Sequence, residues 1–263
     1  MINAGLSVNP KRLNLVKCLF ILCFCMLFCG YVPAENENTR FGTPGGKGKK
    51  LVKTGFTAMY SGVKKNPVWV SYLLKKENIV SGSVKPGSFK SDKSLEPYEK
   101  TAKEDYPSKF DKCPMAPVLD MAYNPKLYSE SFLLSNICPM NPSLKRLKWR
   151  ELEDWVRKLS QKYGDVWVVS GPVFDYKDKK TATIGRAKIA LPTGFFKVML
   201  YQSKDYSFNS IGFYMDNSNQ QKPLKEYMTS VDDIERRTGF DFFNLLPAEV
   251  QRIMKSNKAV TND

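Results

Sequence analysis

Residues Lys109 to Asp120 read KFDKCPMAPVLD, and the run Asp111, Lys112, Cys113, Pro114 decides how the chain is understood. A centre that moves protons near neutrality needs an ionisable group of matching pKa, most often histidine. Pro114 has neither an ionisable side chain nor a backbone N–H. The 263-residue chain contains no histidine that could act in its place. Past the N-terminal segment only Cys113 and Cys138 remain as thiols, too few for a four-ligand zinc site.

Working outward, 42% hydrophobic and 13% aromatic residues suffice to bury a sizeable core, which excludes disorder as the default. The formal net charge is +15. A balance of that size favours polyanionic partners, either nucleic acid or another polyanion, although a merely solvated basic surface is an equally open reading. At the N-terminus Lys11, Arg12 and Lys17 precede CLFILCFCMLFCGYV, an uncharged run of 15 residues, and Val32-Pro33-Ala34 follows. This order predicts a signal peptide over 1–34 with cleavage after Ala34, and hence an exported (periplasmic or secreted) protein. The run is shorter than the roughly 20 residues that span a bilayer, so no stable membrane span is expected after cleavage. A retained signal anchor is the alternative.

From residue 35 to 263 no linker or repeat divides the sequence, and a single domain is expected. The stretch GFTAMYSGVKKNPVWVSYLL predicts a hairpin turning at Ser61 to Pro67. Ile79 to Pro107 reads as a long surface loop, and Ser131 to Ile137 (SFLLSNI) as a short apolar strand. After Pro142 the spacing of Trp149, Leu152, Trp155, Val156 and Leu159 predicts a helix stopping at Gly164. Glu153 with Arg157 and Asp154 with Lys158 stand at i,i+4 as prospective ion pairs. DVWVVSG, GFFKVML and SIGFYMD predict strands, and TSVDDIERRTG a second helix capped at Thr229 or Ser230. Strands and helices mix without strict alternation, which predicts an α+β domain.

Seven blocks then carry a resemblance: FGTP, NPVWVSYLL, FDKCPMAP, SFLLSNICPMNPSLKRLKWRELE, VVSGPVF, LPTGFFKVML and VDDIERRTGFDFFNLLP. In this order, over about residues 41–253, the chain resembles the sugar-non-specific DNA/RNA endonucleases of the ββα-metal (His-Me finger-like) fold, the endonuclease G-like group. The resemblance implies a central antiparallel sheet flanked by helices. It also implies a motif histidine acting as general base, an asparagine holding one Mg²⁺, a glutamate ordering the metal's waters, and arginines on the phosphate. Such a base is worth about 10² to 10⁴ in rate.

Carried over residue by residue, Asp111 keeps the motif's first position and Lys112 replaces its arginine. Cys113 replaces the glycine, and Pro114 the histidine. Asn136 is retained. Trp149 and Glu153 stand at the family's spacing, and in that register Lys145 occupies the metal-binding asparagine's place. The resemblance thus implies a degenerate site: a pseudoenzyme that needs no cofactor and binds nucleic acid or another polyanion through Lys112, Lys145, Arg146, Lys148 and Arg157. One refinement places the Lys145 ammonium, held by Glu153, where the metal would sit.

Two alternatives stay open. In the first, a rearranged and active endonuclease uses Asp111 and Glu153 to bind Mg²⁺ or Mn²⁺. In the second, the scaffold is a protein-interaction module. Asp111, Glu153 and Asn136 also have purely structural readings, as salt-bridge partners and as a turn anchor. A Cys113–Cys138 disulfide and two free thiols are equally open, and a homodimer is a further expectation from the resemblance.

Overall fold

The computed structural model describes residues 36–256 apart from 83 and 176–180. The predicted signal segment, its four cysteines and the end of the polar tail lie outside the described residues.

In chain order the strands are β1 (Lys49–Val52), β2 (Thr57–Ser61), β3 (Asn66–Leu74), β4 (Asp111–Pro114), β5 (Ile137–Met140) and β6 (Val166–Val173). They continue with β7 (Thr183–Ile184), β8 (Ile189–Ala190), β9 (Gly194–Gln202), β10 (Phe208–Asp216) and β11 (Met228–Thr229). The helices are α1 (Pro125–Ser131), α2 (Pro142–Leu144), α3 (Arg150–Tyr163), α4 (Val231–Thr238) and α5 (Ala248–Ser256). Seven strands form one sheet in the order β1-β2-β3-β6-β9-β10-β11, antiparallel throughout. The fold is therefore α+β with a central antiparallel sheet.

Alternation along the strands explains why both faces are covered, since successive side chains point to opposite sides. Val70, Tyr72, Val168, Met199 and Phe213 belong to one core with Leu152 and Val156 of α3. Trp69, Val169, Phe196 and Val198 belong to the other, with Val231 and Ile234 of α4 and Met254 of α5. Each fully buried aliphatic side chain contributes roughly 1.5–3 kcal/mol. Ser230 caps α4 by accepting from Asp233 N at 3.1 Å, and Gly239 ends it with φ 70.

The expected hairpin is β2–β3, and the three later strand blocks are β6, β9 and β10. Two expectations are corrected. Ser131 to Ile137 is not a strand. Ser131 closes α1, Leu133 makes only an isolated parallel bridge to Lys90, Leu134–Asn136 is a 3₁₀ turn, and the strand pairing with β4 starts at Ile137. The Asn136 side chain imposes the turn, because it is buried and bonds to backbone on two sides. The segment 79–107 holds almost no regular structure but is not purely superficial. Asp92 is buried, where it takes the Lys53 ammonium at 2.8 Å and the Ser135 hydroxyl at 2.6 Å.

Candidate active-site cleft

The segment Asp111 to Pro114 is strand β4, paired with β5 in the register Asp111 to Met140, Lys112 to Pro139, Cys113 to Cys138 and Pro114 to Ile137. The turn that follows is pinned from two sides. Met115 N donates to Asn136 O at 2.9 Å, and Ser170 of β6 donates its hydroxyl to Met115 O at 2.7 Å. Between β5 and α3 the chain winds through α2 and then Lys145–Trp149 as a π-helix. A π turn inside a helix is uncommon and marks functional sites more often than ordinary ones. The two strands and this helix together make a ββα unit on one face of the sheet.

A cleft of about 570 Å³ opens over the unit. Its walls bring together Lys112, Cys113, Pro114, Lys145, Arg146, Glu153 and Arg157 from the sequence-derived set. Lys148 is not among them. It pairs with Glu151 at 2.7 Å and lines a neighbouring depression. Lys85 and Arg150 are cleft cations that sequence reasoning missed.

The carboxylates behave differently from one another. Asp111 accepts two bonds from Arg146, Nε to Oδ2 at 2.9 Å and NH2 to Oδ1 at 3.0 Å. Lys145 Nζ stands 3.9 Å from Asp111 Oδ2. The expected Lys145–Glu153 tether is thus corrected: the closer carboxylate is that of Asp111, which β4 holds beside the π turn. The expected Glu153–Arg157 pair is corrected too. Arg157 is buried and donates to Asp120 Oδ1 and Asp154 Oδ1, each at 2.6 Å. Asp154 accordingly faces Arg157 rather than Lys158. Burial opposes the guanidinium charge, but Asp120 and Asp154 outweigh it and raise the Arg157 value. With those bonds in place, Arg157 holds the cleft wall together and has little capacity left for a phosphate.

Glu153 accepts no hydrogen bond and forms no ion pair among the described residues. Burial pushes its carboxyl up to about 7 against the pull of Lys197, with Asp120 adding to the rise. Lys197, in the middle of β9, is the largest omission of the sequence reading. It is fully buried, and its Nζ has no hydrogen-bond partner among the described residues. It lies 4.7 Å from the centre of the Trp149 ring. Burial lowers its value, with Glu153 the foremost group opposing that. The available signal was a single charge inside GFFKVML, a strand otherwise apolar on both faces.

Cys113 and Cys138 face each other across the β4–β5 pair, and both are buried free thiols. The disulfide left open by the sequence is not formed. Burial raises both thiols well above their ordinary value, which keeps them protonated.

The profile of the DNA/RNA non-specific endonuclease family matches residues 34–249. The chain belongs to that family. Among curated relatives of this endonuclease family, the zebrafish (Danio rerio) mitochondrial nuclease EXOG is 33% identical over 79% of this chain. Human mitochondrial endonuclease G is 28% identical over 78%. The Serratia marcescens nuclease is 27% identical over 89%. The matched region spans 64% of the zebrafish protein, 73% of the human one and 92% of the bacterial one. The solved EndoG/EndoGI inhibitor complex contains a similar chain: TM-score 0.73 and 27% identity, covering 80% of this chain and 91% of that one.

The family's Mg²⁺ does not fit the residues present here. The resemblance puts Lys145 at the asparagine's place, and an ammonium has no lone pair for a cation while charged. Asp111 is occupied by Arg146. Among the described residues no group of three or more His, Cys, Asp or Glu side chains is arranged to hold a metal ion.

Proposed function

We propose that this family member has lost metal-dependent phosphodiester hydrolysis and binds nucleic acid or another polyanion in the cleft. The observation that carries the reading is Asp111. The motif's one remaining acid is bonded bidentately to Arg146 and approached by Lys145, so its charge serves protein cations rather than a metal. Lys145 then does what a bound cation would do for a phosphate oxygen, with Lys112, Arg146 and Arg150 as further contacts. Pro114 leaves no proton acceptor at the motif's last position. Phosphate contacts require only cations at suitable spacing, so binding is salt-sensitive.

A labelled oligonucleotide titrated at several salt concentrations tests this. Lys145→Met should weaken binding about fivefold at low salt and flatten the salt slope by about 0.7 to 0.9, the share of one phosphate. Unchanged affinity would remove Lys145 from the reading. Salt-independent binding would instead favour the protein-interaction module.

The proposal extends to the untested ends of the molecule. On the basic-apolar-small order of residues 11–34, the protein is exported and begins at Glu35 when mature. N-terminal sequencing that returns Met1 would support the retained anchor instead. A homodimer is proposed on the resemblance alone, and sedimentation would test it.

A further inference from the structure

A second depression, of about 340 Å³, lies away from the cleft. Arg237, Thr238 and Phe240, from the end of α4 onward, form one wall, so it sits on the sheet face opposite the ββα unit. Lys47 and the β2–β3 turn, with Lys64 and Asn66, form the other wall, and Phe174 closes the end.

Three features set it apart from ordinary basic surface. First, Lys47, Lys64 and Arg237 converge on it, and no carboxylate lines it among the described residues. Among the described residues none of the three side chains has an acidic or hydrogen-bonding partner. Second, aromatic rings lie against two of these cations: Lys64 Nζ is 4.3 Å from the Phe174 ring centre, and the Arg237 guanidinium, which also lines a neighbouring depression with Asp216 and Glu226, is 4.4 Å from that of Tyr214. Burial lowers the Lys64 value, which marks a charge partly stripped of water without a counter-ion. Third, Asn66 is buried in the wall. Its Nδ2 donates to Lys64 O at 2.7 Å and Ala190 O at 2.9 Å, which fixes the amide's orientation, and its Oδ1 has no partner among the described residues.

We propose that this depression is a second nucleic-acid site, holding one nucleotide unit of a single strand. The phosphate sits among Lys47, Lys64 and Arg237, the base lies against Phe174, and Asn66 Oδ1 is the acceptor for a base N–H. A bare anion would use the cations but neither the ring nor the amide oxygen. Stacking on an aromatic ring beside basic groups is how sequence-tolerant single-strand sites work. Because the site stands on the opposite face, one chain can hold two strands at once. The inference does not depend on the cleft's role.

The test is stoichiometry by calorimetry with a deoxyadenylate hexamer at low salt. Four proteins are compared: wild type, Lys64→Gln/Arg237→Gln, Lys145→Met, and a control removing two exposed charges elsewhere, Lys76→Gln/Lys225→Gln. Wild type and control should bind two hexamers, and the Lys64/Arg237 variant one, with the lost site's salt slope near the value for one phosphate of a single strand, about 0.7. A single wild-type hexamer that the Lys64/Arg237 variant abolishes and Lys145→Met leaves intact would support this site and sink the cleft reading. Equal stoichiometry in wild type and the Lys64/Arg237 variant would overturn the proposal. So would inorganic phosphate competing as well as adenosine monophosphate. Loss of anionic-vesicle binding alone in that variant would also overturn it, in favour of a lipid headgroup site.

Discussion

The Asn136 side chain is bonded to both backbone groups of Ala116: Oδ1 accepts from Ala116 N at 2.9 Å, and Nδ2 donates to Ala116 O at 3.0 Å. The same Nδ2 donates to Ser131 O at 2.9 Å. One buried amide thereby ties the turn after the degenerate motif to the segment that precedes β5. In the proposed reading the scaffold of a nuclease site is kept, while the residues it would present are replaced. Asn136→Ala leaves buried backbone groups unpaired, each costing about 1–3 kcal/mol. Urea denaturation should show a loss on the order of 3 kcal/mol. A change below about 0.5 kcal/mol would mean the amide is not a structural tie.

Arg157 and Asp120 make the corresponding prediction inside the cleft wall. Removing one partner of a buried ion pair strands the other charge and costs about 3–5 kcal/mol. Arg157→Met and Asp120→Asn should both lower the melting temperature substantially. A fully stable Arg157→Met protein with reduced oligonucleotide affinity would restore Arg157 to the binding set.

Glu153 predicts a pH dependence. Its value near 7 means that the cleft loses a negative charge as pH falls below neutrality. Polyanion affinity should therefore rise between pH 8 and pH 6. Glu153→Gln should hold the low-pH affinity throughout. The groups facing Glu153 are Lys197, Asp120, Arg157 and Lys145, and with no histidine in the chain there is no imidazole to mimic the effect. For folding the sign is the reverse of a paired carboxylate. The folded value lies above the ordinary 4.5, so the folded state binds the extra proton, and stability falls as pH rises from about 4.5 through 7. A flat affinity profile in wild type would contradict the assignment.

Much of this was legible in the sequence, and the failures have physical reasons. The β2–β3 hairpin and the α3 helix announced themselves through alternation and 3.6-residue spacing. Pro114 and Lys145 were readable because chemistry forbids a proline base and an ammonium metal ligand. Pairing was not readable. Arg157 has Glu153 at i,i+4 spacing, yet the structure gives it Asp120, 37 residues upstream, because α3 packs its side chain against that turn. Lys197 was missed for the same kind of reason. Its importance lies in three-dimensional burial beneath Trp149, which no local pattern reveals.

Thiol chemistry supplies a further check. In protein lacking residues 1–34, Cys113 and Cys138 should be inert to a thiol reagent while folded, being buried and protonated. Denaturation without reductant should release two thiols per chain. Release of none would restore the disulfide.

In the proposed reading the cleft has lost hydrolysis and kept its cations. Supercoiled plasmid incubated with pure wild-type protein and Mg²⁺ or Mn²⁺ tests it most directly, alongside Glu153→Ala. The plasmid should be bound and retarded but stay supercoiled, with or without metal. Metal-stimulated nicking by the wild type that Glu153→Ala abolishes would contradict it.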